Sequence, residues 1–296
     1  MPEIPEMELY KDNLNQSIAN KLIHKVIIYR EKSINLPIDD FSRVLTNAQV
    51  TEIRRRGKYL IIVLDQGYLL AHMMLDGKLF YLSPQNRKIY DLSSEELDSQ
   101  SFVDSGILKE KIPDLPGKPS VLVTLNDGSL LFFCQLTLGY LHYLDEQGLE
   151  QHLVKLGKEP LDPSFQIADF KQLLQGKRGM IKPWLMDQKN LSGVGNAYSN
   201  EALFKAGILP TRQISTLSDP EKEKLYYELQ NVLRESIAKG GDMENPFSPD
   251  DQKTGGFNPF FAVYDRANEP CPVCGESIHQ EEVGGRNAFY CVKCQH

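Results

Sequence analysis

Residues Met1-Pro2-Glu3 place a proline one step from the start of the chain, with a carboxylate beside it. If the initiator methionine is removed, the proline ring nitrogen becomes a free secondary amine. With a reference α-amino pKa of about 7.7 to 8.0, roughly a tenth of such an amine is unprotonated at pH 7. It can attack an electrophilic carbon to give an iminium, the secondary-amine counterpart of lysine Schiff-base catalysis. Glu3 adjoins the nitrogen and Glu6 follows about one helical turn on, so either could move a proton there. Both could equally be acidic residues favouring a helix start. Many chains begin Met-Pro with no chemical purpose, and the triplet alone decides nothing.

A second pattern lies at the other end. Four of the five cysteines are Cys271-x2-Cys274 and Cys291-x2-Cys294, separated by sixteen residues. Two close pairs on two turns can close a tetrahedron of sulfurs around zinc. Two disulfides are the competing reading, disfavoured by the lack of a secretion signal. Four protein ligands leave no position for water, so such a zinc is structural. Cys134, within an apolar run, is expected to be a buried small hydrophobe.

Leu191-Ser192-Gly193-Val194-Gly195-Asn196-Ala197-Tyr198 precedes a helical pattern. Two glycines and a helix N-terminus could present amides to a phosphate, with Asn196 adding a donor, or could make a tight turn and nothing more. Net charge of −7 argues against a nucleic-acid partner, since phosphate binding rests on Lys and Arg. Local charge differs: Lys177 to Arg212 carries six cations against two acids, and Arg54, Arg55, Arg56 and Lys58 form another cluster. A basic cleft on an acidic body is therefore open.

The elements that must position these residues fall into two textures. A helix is predicted from Pro5 to Ile18. After it, Lys25–Arg30, Gln49–Arg54, Lys58–Leu64, Tyr68–Leu75, Lys78–Leu82, Val121–Leu125 and Ser129–Cys134 read as strands. Asp65-Gln66-Gly67, Asp76-Gly77 and Asn126-Asp127-Gly128 read as hairpin turns. This is an antiparallel sandwich or barrel carrying an N-terminal helix. Residues 145 to 159 suggest a hinge. Helices follow at Asp169–Gln175, Ile181–Gln188, Asn196–Ala206 and Asp219–Lys239, the last capped by Ser218 with Glu221. The Pro- and Gly-rich stretch from Asp242 to Phe260 is long enough to be a functional cover or disordered. No run of eighteen apolar residues exists, so no membrane span or secretory signal is supported, and an intracellular protein is expected.

Met-Pro-Glu-Ile-Pro-Glu at 1–6, Arg55-Arg56-Gly57-Lys58-Tyr59-Leu60, the stretch Asp187 to Phe204, and Arg286 to Gln295 occur in this order. Together they resemble the formamidopyrimidine-DNA glycosylase and endonuclease VIII family of base-excision repair enzymes, from the first residues to the last. The resemblance implies an α+β multidomain protein. Its parts would be a catalytic β-sandwich domain with an N-terminal helix (1–145), a hinge (146–160), a helix–two-turn–helix domain with a lesion-capping loop (161–265) and a zinc-finger hairpin (266–296). It implies a monomer acting on duplex DNA that contains a damaged base or abasic site, with one structural zinc, in the cytoplasm and at the nucleoid of a prokaryote.

Carried over by position, Pro2 resembles the nucleophile at sugar C1′, Glu3 the acid/base residue at the opened sugar, and Glu6 a supporting carboxylate. Lys58 resembles the lysine that holds a phosphate and assists catalysis. Asn196 and Arg286 resemble phosphate-binding residues of the helical domain and the finger. His72 could touch a phosphate or pack as an ordinary strand histidine. Leu75 stands where a methionine wedge is expected. Cys134-Gln135-Leu136-Thr137-Leu138-Gly139 replaces an Asp-Pro-Arg-Arg-Phe-Gly type loop, so the arginine that reads the opposite cytosine is missing. Oxidised purines are the expected substrates, given the 242–260 stretch. An endonuclease VIII-like preference for oxidised pyrimidines is the alternative. A zinc-containing damaged-DNA-binding protein without turnover is the reading from another class, and a metal-stabilised protein with no nucleic-acid role is the third.

Overall fold

A computed structural model describes all of residues 1–296, which divide into two compact units. The first comprises residues 1–2, 6–154 and 240–256, and the second comprises 3–5, 155–239 and 257–296.

The first unit opens with helix α1 (Ile4–Ile18), from its third residue onward, and is built on two four-stranded antiparallel sheets. One has the order β1 (Ile23–Ile28), β6 (Pro119–Leu125), β7 (Leu130–Cys134), β5 (Lys78–Leu82); the other has β2 (Val50–Arg56), β3 (Tyr59–Leu64), β4 (Gly67–His72), β8 (Tyr140–Leu144). Side chains alternate across a strand. Val121, Val123, Leu131 and Phe133 thus enter one core with α1 and residues of the other sheet, while Leu122, Leu130, Phe132 and Cys134 enter another. After α3 (Pro84–Ile89), that second core is covered by three short helices, α4 (Ser94–Asp98), α5 (Gln100–Asp104) and α6 (Ile107–Lys111). Coverage on both faces explains why β6 and β7 are apolar without alternation. Helix α2 (Ile38–Leu45) buries Phe41 and Leu45 in the first core.

One expectation is corrected here. Asp76-Gly77 is not a hairpin turn: β4 pairs with β3 and β8, and β5 with β7, so the segment crosses between sheets. The hinge stretch folds as α7 (Glu146–Leu153), capped by Asp145 accepting the Gly148 N–H, and the unit boundary follows Val154. The 240–256 stretch belongs to the first unit.

The second unit contains α8 (Ile167–Leu174), α9 (Ile181–Met186), α10 (Asn196–Ala206) and α11 (Asp219–Lys239), followed by a hairpin of β9 (His279–Val283) and β10 (Arg286–Tyr290). Helix α11 buries Leu225, Leu229, Val232 and Leu233 against Tyr198, Ala202 and Leu203 of α10. Ile4 belongs to this core, so residues 3–5 are held here. No helix is long and apolar enough to cross a membrane.

Candidate active site

In the first unit, Lys58 sits in the two-residue turn joining β2 to β3, where Arg56 and Tyr59 form the last pair. Gly57 takes a φ of +57°, which the turn demands and a side chain resists. Lys58 Nζ lies 3.7 Å from Met1 Sδ, so the turn brings an ammonium to the chain start. Arg55 is structural: its side chain is 7% exposed and donates to Glu8 Oε1 at 2.7 Å and to Gly57 O at 3.0 Å. Burial alone would raise the Glu8 pKa, but Arg55 and Lys11 outweigh it and hold the carboxyl below its usual range.

His72, opposite Tyr59 on one neighbour strand and Tyr140 on the other, packs its ring 4.8 and 5.7 Å from theirs. Burial, and then the Lys58 charge, pull its pKa down to about 4, so the imidazole is neutral at pH 7. Leu75 is 48% exposed in the crossover after β4. In the loop after β7, Leu136 is fully buried and Leu138 is 60% exposed. Glu6, 2% exposed, accepts the Asp242 N–H at 2.8 Å.

In the second unit, Glu3 is 4% exposed and caps α10: Gly195 N–H donates to Oε2 at 2.6 Å and Ala197 N–H to Oε1 at 2.9 Å. Ile4 N–H donates to Gly193 O, and Gly193 N–H to Gln188 Oε1 at 2.8 Å. The glycine loop's amides, offered by the sequence to a phosphate, thus serve the chain's own carboxylate and glutamine. They fix the residue that follows Pro2. Pro2 itself still carries Met1 on its nitrogen in this structure.

Asn196, first residue of α10, accepts at Oδ1 from Lys182 Nζ at 2.6 Å, and the same ammonium donates to Asn287 O at 2.9 Å. Lysine can only donate, so the Asn196 oxygen faces inward and its NH2 becomes the outward donor. Lys182 is fully buried. Burial pulls its pKa down to about 8, with Glu3 opposing and Arg286 reinforcing the shift. One buried cation thus links the loop carrying Asn196 to the strand carrying Arg286, itself exposed at the start of β10. Asn200 adds a second link by accepting the Phe289 N–H. Glu201, fully buried, accepts the Ala262, Val263 and Tyr264 N–H groups, and burial still pushes its carboxyl up.

The four cysteine Sγ atoms lie within 4.8 Å of one another, with Cys271–Cys294 at 3.8 Å and Cys274–Cys291 at 3.4 Å. A tetrahedron with Zn–S bonds of about 2.3 Å has edges of about 3.8 Å. A disulfide needs about 2.05 Å, and all five cysteines are free thiols. The donor set fits one structural zinc, and Gln295 braces it by accepting the Cys291 N–H and donating to Ile208 O.

Comparison with known proteins gives matches along the whole chain. Residues 1–134 match the formamidopyrimidine-DNA glycosylase N-terminal domain, 156–247 its H2TH domain, and 268–296 the zinc finger found in FPG and IleRS. Curated relatives named formamidopyrimidine-DNA glycosylase include those of Methylococcus capsulatus, 34% identical and covering 100% of both chains, and Proteus mirabilis, 31% identical and covering 100% of this chain and 98% of the other. The chain belongs to the formamidopyrimidine-DNA glycosylase family. Among solved structures, Lactococcus lactis Fpg bound to DNA with an abasic site superposes with a TM-score of 0.83 at 24% identity, covering 99% of each chain. At that identity the likeness bears on the fold: an α+β protein with a β-sheet domain, a helical domain and a C-terminal zinc hairpin.

The sequence reading overlooked Lys182, Asn200 and Glu201 as anchors of the glycosylase. Lys182 is one of the six cations of the Lys177–Arg212 stretch, with nothing in the sequence to set it apart. Asn200 and Glu201 fell inside the quoted 187–204 stretch, but residue type carries no mark of burial.

Proposed function

We propose that the enzyme excises oxidised bases from duplex DNA with Pro2, freed by removal of Met1, as nucleophile. The proline nitrogen bonds to C1′ as the glycosidic bond breaks and the base leaves with a proton. The sugar ring then opens, O4′ takes a proton from Glu3, and an iminium remains. Loss of a C2′ proton expels the 3′ phosphate, loss of a C4′ proton then expels the 5′ phosphate, and water hydrolyses the iminium to return the amine. Glu6 supports proton transfer. Lys58, Asn196, Arg286 and neutral His72 hold phosphates, and Leu75 fills the stack vacated by the flipped nucleotide. The zinc holds the hairpin of Arg286 in shape and takes no part in the reaction. The protein works as a monomer on the nucleoid of a bacterial cytoplasm.

The observation that carries this reading is the anchorage of Glu3 on the Gly195 and Ala197 amides, which fixes the residue next to the proline nitrogen before any substrate arrives. Borohydride reduction on abasic duplex tests it. Wild type should form a stable covalent adduct, Pro2→Gly should lose most of it, and intact mass should show the active molecules lacking Met1. Equal crosslinking by Pro2→Gly sinks the nucleophile assignment, and binding without any adduct supports the turnover-free reading.

Oxidised purines are the favoured substrates. The loop with Leu136 buried and Leu138 exposed, where an arginine would read the opposite base, favours a second reading with relaxed opposite-base selectivity and activity on oxidised pyrimidines. Cleavage of 8-oxoguanine, formamidopyrimidine, thymine glycol and dihydrouracil duplexes, each against four opposite bases, separates the two.

A further inference from the structure

The 240–256 segment contains no helix or strand, yet it is tied down within the first unit along its length. Its base is closed by Gly255 N–H donating to Gly240 O at 2.8 Å. Gly240, at φ +98°, lies so near Lys253 O that a Cβ there would come within 1.8 Å of it. Asp251 knots the interior, accepting from Phe247 N–H at 2.8 Å, Lys253 N–H at 2.9 Å and the Thr254 hydroxyl. Lys78 reaches Asn245 and Asn86 reaches Asp250, each at 2.8 Å.

Two of the ties grip the same face of α1. Phe247, 3% exposed, stacks on Tyr81 (5.9 Å, 6°), packs 6.3 Å from Tyr10, and accepts the Tyr81 N–H at 2.7 Å. Four residues before Tyr10 on that helix, Glu6 Oε1 accepts the Asp242 N–H. Residues four apart share a helix face, so seating the ring and presenting the amide to Glu6 are one event. Gly241, at φ +66°, completes the fit: a Cβ there would lie 2.9 Å from the same carboxylate oxygen.

We propose that Phe247 is a positioning residue for the reaction: by seating this strap it aims the Glu6 carboxylate, and proton transfer through Glu6 proceeds only with the strap seated. This rests on the proposed assignment of Glu6. A bond from a backbone N–H to a carboxylate is charge-assisted and directional, so it fixes one oxygen and thereby the plane of the other. Loss of the plug leaves Glu6 ionisable but unaimed.

A double-mutant cycle under single-turnover conditions tests it. Phe247→Ala should slow the step that Glu6→Gln slows, by roughly tenfold to a hundredfold, up to the lower bound of what general acid–base groups supply. Combined with Glu6→Gln it should add no further loss. Asp251→Ala, which loosens the knot without emptying the core, should behave alike. Phe247→Tyr should restore most of the rate, and hydrogen exchange should show unprotected 242–254 amides beside intact β6 and β7. Losses that multiply, or full activity in both loosened variants, overturn the proposal. An inactive wild type sinks the functional reading itself, and the proposal with it.

Discussion

The two units hold their candidate site residues by different means. In the sandwich, Lys58, His72 and Leu75 stand at a turn, a strand end and a crossover, and what fixes them is an apolar core beneath. In the helical and zinc unit, Asn196 and the strand that carries Arg286 are fixed by buried charge and amide groups: Glu3 on two backbone amides, Lys182 on Asn196 and Asn287, Glu201 on three. An apolar core sets element positions and leaves tips some latitude. A buried polar network, satisfied at every member, specifies orientation at the cost of desolvation. Asn196 and the backbone of β10 are thus oriented more tightly than Lys58 or His72.

The largest expected break in this comparison comes from the metal. Stripping zinc with a chelator, or Cys291→Ser, should unfold the β9–β10 hairpin and weaken abasic-duplex binding by about a hundredfold or more, since the structural metal supplies that element's folding energy. NMR should show hairpin signals collapsing while sandwich signals persist. Collapse of the sandwich as well would mean that the units are not separately supported.

Acid should act next, and on the other unit. His72 has a folded pKa near 4 against 6.5 unfolded, so the unfolded chain binds more protons between those values. Its contribution is present above pH 6.5 and is lost as pH falls toward 4, about 2 kcal/mol between pH 7.5 and 5. Urea unfolding of wild type and His72→Phe at both pH values checks this: the variant should lose that part of the pH dependence. An equal dependence in both would place the acid sensitivity elsewhere, with Glu8 the next group to examine.

The smallest effect compares one phosphate contact from each unit. Lys58→Ala and Arg286→Ala should each reduce the slope of log affinity against log salt by about 1. Arg286→Ala should change little else, whereas Lys58→Ala should also slow turnover. An unchanged slope contradicts the assigned contact.

The same contrast explains what the sequence disclosed. Strands β2, β3, β5 and β7 fall within a residue or two of their predicted limits, because apolar periodicity records a core directly. Turn chemistry is local, so Asp76-Gly77 announced a turn without saying that the next strand joins another sheet. Helices α4, α5 and α6, five residues each, are too short to show a period, and the five-residue β8 was passed over in the polar-to-aromatic run that follows Gly139. At the site, the cysteine cluster was legible through residue type and spacing, whereas Pro2 and Glu3 stood out only through the family resemblance. Lys182 was not legible, because nothing in a lysine's neighbours states that it is enclosed. The strap was seen as a long loop, but its allegiance to α1 depends on Phe247 meeting Tyr10 and Tyr81, partners far away in the chain.

Residues 3–5 fold with a unit otherwise assembled from residue 155 onward. At ribosomal rates of about 5 to 20 residues per second, the amino terminus emerges roughly ten to forty seconds before the glycine loop that will enclose Glu3 has been made. The cell's peptidases therefore meet it while it is still loose. Exposure of Pro2, the proposed nucleophile, and burial of its neighbour are ordered in time by the direction of translation, and a slow trimming step would compete with docking.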